Sequence, residues 1–203
     1  MHSTTKMLFA ALVLWLSIPG ARACDGILGN TVAGARDTMF FTWFQLDPVA
    51  TTRQDDGGDL VAFRTRVEDL RDALEVDVRT DAAGRVRGVL LFMRRSMVED
   101  RADGQFAAAM CAALIRHTPI ADRSAAEALA GEIQDRFQEG LRPSPIEASD
   151  LPLEASEAYR AYRGEVPRAM AKLGRSAVCF DSTDPDWLVV GVLPTTEEAS
   201  AAH

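Results

Sequence analysis

Glu75-Val76-Asp77-Val78-Arg79-Thr80-Asp81-Ala82-Ala83-Gly84-Arg85-Val86-Arg87-Gly88-Val89-Leu90-Leu91-Phe92-Met93 decides the fold class of this chain. Its first arm alternates polar and apolar with period two, so the valines share one face and the charged residues the other, the pattern of a half-buried strand. Asp81 and Gly84 occupy the first and fourth positions of a type I turn closed by a residue that tolerates positive φ. In the return arm the last five residues, Val89 to Met93, are all apolar. Both faces of that arm are therefore expected to be covered, which places it inside a sheet rather than at its edge, with a helix on at least one side.

The same order of strand, D-x-x-G turn and strand is similar to the hairpin of TonB-like C-terminal domains, over this segment alone. A second hairpin is expected where Ser176 to Asp181 and Asp186 to Leu193 flank Ser182-Thr183-Asp184-Pro185. Its second arm, Trp187 to Leu193, is apolar on both faces and reads as another central strand. The aromatic run between Met39 and Leu46, with Phe40, Phe41, Trp43 and Phe44, has high strand preference and ends at Asp47-Pro48.

Between these strands the periodicity turns helical. After a polar loop from Thr51 to Gly58, the residues Leu60, Phe63, Val67, Leu70 and Leu74 recur at spacings of three and four and predict an amphipathic helix. The acids Asp55, Asp56 and Asp59 lack the alternating ligands and terminal Glu of an EF-hand, so that loop reads as a turn before the helix. Asp103 can cap a helix over Gln105 to His117, with Phe106, Met110 and Leu114 in line and Pro119 stopping it. Ser124-Ala125-Ala126-Glu127 is a capping box opening a helix through Leu129, Ile133 and Phe137 to Gly140. Arg142 to Leu153 is a proline-rich connection, and Tyr159 to Arg175 predicts two short amphipathic helices, the second beginning at Pro167. The fold expected is α+β, a mostly antiparallel sheet of about five strands with helices packed on it.

Residues 1–23 read as an export signal, with Lys6, an apolar core from Met7 to Ile18, a Pro19-Gly20 break and cleavage after Ala23. That apolar core is too short for a membrane span. A single domain over 24–193 and a disordered tail over 194–203 are expected to follow, in the periplasm or secreted. Cys24 would become the first mature residue, where a lipoprotein carries its lipid, but Ala21 and Arg22 match that signal poorly. The signal holds two of the 22 basic residues and none of the 30 acids, so removing it takes the formal charge from −8 to −10. Nucleic acid is excluded as an expected partner.

Three cysteines in an oxidising compartment call for one bridge and one odd thiol. Cys111, on a helical pattern, and Cys179, on a strand pattern, are the expected pair, worth about 4 kcal/mol by loop closure. With His117 and His203 the only histidines after cleavage, no His-based metal cluster or His-centred triad assembles, and no cofactor is expected. His117 reads instead as a cation at a helix C-terminus. No G-x-S-x-G, C-x-x-C, H-E-x-x-H or phosphate loop is present. Tyr159, Arg160, Tyr162, Arg163, Arg168 and Lys172 form the one locally basic surface and are the candidate binding residues for an envelope protein or anionic envelope polymer. The function expected is a non-enzymatic binding or interaction module of the bacterial envelope. The alternative is a small envelope hydrolase using carboxylate acid–base chemistry, with separated acids such as Glu99, Asp103 and Asp181; apart from it, an N-terminal Cys24 thiol could use its own amine as base.

Overall fold

A computed structural model describes residues 26–100, 103–118, 123–139, 153–173 and 175–194. The expected signal, Cys24, the 142–152 part of the connection and the 195–203 part of the tail lie outside these residues. Seven antiparallel strands form one sheet in the order β1-β2-β3-β4-β7-β6-β5. They are β1 (Leu46–Arg53), β2 (Asp59–Thr65), β3 (Leu74–Thr80), β4 (Val86–Arg94), β5 (Arg168–Leu173), β6 (Ser176–Asp181) and β7 (Trp187–Pro194). The helices are α1 (Val32–Arg36), α2 (Met39–Trp43), α3 (Arg95–Glu99), α4 (Asp103–His117), α5 (Arg123–Glu139) and α6 (Leu153–Tyr162). The class is α+β as expected, with seven strands in place of about five.

The hairpin forms where its turn chemistry places it. The Gly84 N–H donates to the Asp81 carbonyl at 2.9 Å with φ at +74°, and the Asp81 carboxylate accepts from the N–H groups of Ala83 and Arg85. Those bonds, the Arg85 one foremost, hold the Asp81 carboxyl below the usual carboxylate range. β4 lies between β3 and β7 at the centre of the sheet, and β7 lies between β4 and β6.

Register explains the core. Ala169, Phe180, Val190, Leu91, Val76 and Phe63 stand in one row across six strands, and Ala171, Val178, Val192, Val89, Val78 and Val61 in the next. Apart from the half-buried Ala169 these residues are buried, and they join one cluster with Phe40, Phe41, Met97, Leu114, Ile133 and Tyr162 from the helices. The opposite face contributes none of its side chains to that cluster.

Three elements expected between Met39 and Leu74 are different. Met39 to Trp43 is helix α2, because Phe40, Phe41 and Phe44 fall on one helical face and meet edge-on, Phe40 against Phe44 at 5.5 Å and Phe41 against Phe63 at 4.9 Å. Leu60 to Leu74 is no helix: Val61, Phe63 and Thr65 alternate inward along β2, and a 3-10 turn at Glu68–Leu70 leads into β3. The first three residues of the expected polar loop, Thr51 to Arg53, belong to β1, and the remainder is a turn as expected, closed by the Gln54 N–H on the Gly58 carbonyl at 2.9 Å. α4 starts with the Asp103 N–H bonded to the Asp100 carboxylate at 2.9 Å, so Asp100 supplies that N-terminal acceptor. The Glu127 carboxylate pairs with Arg116 at 2.9 Å, joining α5 to α4. At the other end of α4 the His117 carbonyl accepts from the Ile27 N–H at 2.8 Å.

Candidate interaction surface

β5 replaces the second helix expected from Pro167. Its residues alternate cleanly: Ala169, Ala171 and Leu173 turn to the helix side, while Arg168, Met170 and Lys172 are exposed on the other face. The predicted binding residues are therefore divided. Arg160 and Arg163 are exposed at the end of α6, and Arg160 meets Glu165 at 3.6 Å. Arg168 and Lys172 project from the sheet edge. Tyr162 is fully buried, its ring edge-on to Phe180 at 6.5 Å, so it serves the core rather than a solvent surface. Tyr159 lies in α6, one residue before Arg160.

The expected Cys111–Cys179 bridge does not form. Both cysteines are free, Cys111 buried in α4 and Cys179 half-buried on β6. Val178 and Phe180 point into the core, so Cys179 between them points to the opposite face, with the sheet separating it from Cys111. Burial raises both thiol pKa values.

That opposite face has its own rows. Met170, Cys179, Gly191, Leu90, Asp77 and Ala62 align in one, and Arg168, Asp181, Val189, Phe92, Glu75 and Arg64 in the next. Phe92, Leu90, Val189 and Leu193 are half-buried, so among the described residues this side of β4 is not covered as expected from its apolar run. Two glycines account for the partial burial of Leu90 and Leu193. A Cβ on Gly191 would lie 3.0 Å from Leu90 Cδ2, and one on Gly88 would lie 2.7 Å from Leu193 Cδ2. The leucines thus settle into gaps in the neighbouring strand, lowering apolar exposure without a second layer among the described residues. Arg94 closes one end by stacking over Trp187 at 4.2 Å from the ring centroid.

Charges frame the apolar centre. Arg64 pairs with Glu75 at 2.7 Å and Arg168 with Asp181 at 2.7 Å. The Thr183 hydroxyl, at 2.5 Å, together with the Thr183 N–H and Arg168, holds the Asp181 carboxyl below its usual range. Burial, reinforced by Glu75 and only partly offset by Arg64, pushes Asp77 above it. Arg163, Lys172 and Arg175 are exposed and have no ion pair among the described residues.

The carboxylates considered for acid–base chemistry are not brought into one site. Asp181 belongs to the face opposite the described helices, Asp103 opens α4, and Glu99 ends α3. Among the described residues no group of three or more His, Cys, Asp or Glu side chains could hold a metal ion, and no helix is long and apolar enough to cross a membrane. No protein-family model, curated protein or solved structure matches the chain.

Sequence reasoning missed Met170. Its side chain is 51% exposed between Arg168 and Lys172. The signal available was the alternation of Arg168, Met170 and Lys172 with Ala169, Ala171 and Leu173.

Proposed function

We propose that this chain is an exported, non-enzymatic interaction module of the bacterial envelope, and that it contacts an anionic partner through the cationic flank formed by Arg160, Arg163, Arg168 and Lys172. The observation that carries this reading is the exposure of Met170 between Arg168 and Lys172 on an edge strand. A large apolar side chain left in water between two cations supplies contact area where the charges supply attraction. The cost of holding Arg163 and Lys172 without an acid nearby is small in water, and both are available to an incoming carboxylate or phosphate.

Tyr162 enters this reading as the anchor of α6 against β6, which sets where Arg160 and Arg163 stand. The test is capture of a partner from an envelope extract at physiological salt, comparing the unaltered chain with one carrying Arg160→Ala, Arg163→Ala and Arg168→Ala together. Weakened capture supports the reading, and unchanged capture overturns it.

A further inference from the structure

We propose that the outer edge of β5, which no other strand among the described residues pairs, accepts an extended acidic segment of another protein as an eighth strand of the sheet. This rests on the cationic contact surface proposed above and specifies how it is used. The backbone determines which groups are available. The Ser182 N–H donates to the Pro167 carbonyl at 2.7 Å, and the register continues from Arg168 opposite Asp181 to Leu173 opposite Ser176. In an antiparallel ladder the bonded pairs alternate, so Pro167, Ala169, Ala171 and Leu173 bond to β6. Arg168, Met170 and Lys172 then turn their N–H and C=O groups outward, and theirs are also the side chains on the face opposite the described helices.

The opposite edge of the sheet is built differently. β1 carries Pro48 and a register shift between Pro48 and Ala50. The Arg66 N–H donates to the Gln45 carbonyl at 3.0 Å, so by the same alternation the Pro48 nitrogen lies on the outward side, where it has no proton to offer. β5 contains no proline and no bulge.

Charge selects the occupant. Self-pairing centred on Met170, the register that engages all three outward residues, sets Arg168 of one copy opposite Lys172 of the other, and like charges directly opposite disfavour a pair. A strand reading acid-x-apolar-x-acid places its carboxylates opposite Arg168 and Lys172, about 13 Å apart at strand rise, and its apolar residue against Met170. Arg168 spends its Nε on Asp181 but is 70% exposed, leaving its terminal nitrogens for the newcomer. This is strand addition, in which main-chain bonds give affinity and alternate side chains give selectivity.

The test uses the whole mature chain and a blocked seven-residue peptide of threonines with glutamate at its second and sixth positions and valine at its fourth. The expected result is saturable binding, about tenfold weaker when both glutamates are replaced by lysine. On binding, amide exchange at Met170 and Lys172 should slow about tenfold, while Ala169 and Ala171, already bonded to β6, change little. Met170→Pro should keep the thermal midpoint, because no β6 bond is removed, and abolish the exchange effect. Binding without slowed exchange would leave the cationic surface standing and overturn strand addition. Equal affinity for the lysine peptide, no binding at millimolar peptide, or edge amides already protected in the free chain would each overturn it as well.

Discussion

Leu90 and Leu91 are chemically identical neighbours on β4 that face opposite sides of the sheet, so replacing each by alanine tests the one-sided architecture directly. Leu91 is completely buried, flanked in register by Val76 and Val190. Truncation to alanine removes about three methylene equivalents, roughly 2.4 kcal/mol of transfer free energy. A cavity penalty adds to this, because stiff valines on both sides cannot collapse inward, bringing the expected loss to about 3 to 4 kcal/mol. Leu90 rests over Gly191 with its other side open to water. Its truncation leaves no closed cavity and forfeits only part of the transfer term, about 1 kcal/mol. Urea unfolding of both variants, compared at a common slope, measures the difference. Equal losses would refute the reasoning, since they would mean that both faces of β4 are covered.

Other expectations concern charge, thiols and close approach. Asp77 has a raised pKa, so the folded state holds that proton more tightly than the unfolded chain does, and stability falls as pH rises from the ordinary carboxylate value of 3.8 through the higher folded one. Asp77→Asn should remove this loss, and a pH profile of unfolding unaltered by the substitution would contradict it. Asp181 has a lowered pKa, so its contribution is present above 3.8 and is lost as pH falls through the folded value; Asp181→Asn should flatten stability on that acid side, as read by thermal melts below about pH 4. Cys179 should react with a thiol reagent in the native protein and Cys111 only after unfolding, while non-reduced peptide maps showing a bridge between them would refute their placement on opposite faces. Gly58→Ala should cost about 1 to 3 kcal/mol, because its Cβ would fall 1.9 Å from the Thr80 carbonyl oxygen, a backbone atom that cannot swing aside; a neutral result in urea unfolding would show that the turn shifts freely.

The hairpins were legible because each couples period two to a recognisable turn, and the long apolar arms could be central only if covered on at least one side. The error over Leu90 has a physical source, since close approach to Gly191 hides apolar surface without a second layer among the described residues. β1 was unreadable for the opposite reason: beyond Asp47 its residues are exposed on both sides, so no burial pattern is written into Pro48 to Arg53. Leu60 and Phe63 happen to sit three apart while Val61, Phe63 and Thr65 carry the inward alternation, and two short strands joined by a 3-10 turn imitated one helix. In α2, tertiary contact of Phe41 with Phe63 and of Phe44 with Phe106 overrode aromatic strand preference. At the surface, composition located Arg168 and Lys172, but taking Pro167 as a helix start concealed the edge on which they stand and Met170 between them.

The unlike borders of the sheet also bear on solubility at high concentration. If a β1 border could dock onto a β5 border, each union would present the same two ends again and the array would lengthen without limit, the geometry of a fibre. Pro48 interrupts that recursion at its donor side, so this protein should accept a single added ribbon and then stop. Replacing Pro48 with valine would restore the missing proton and, with it, the hazard of open-ended polymerisation.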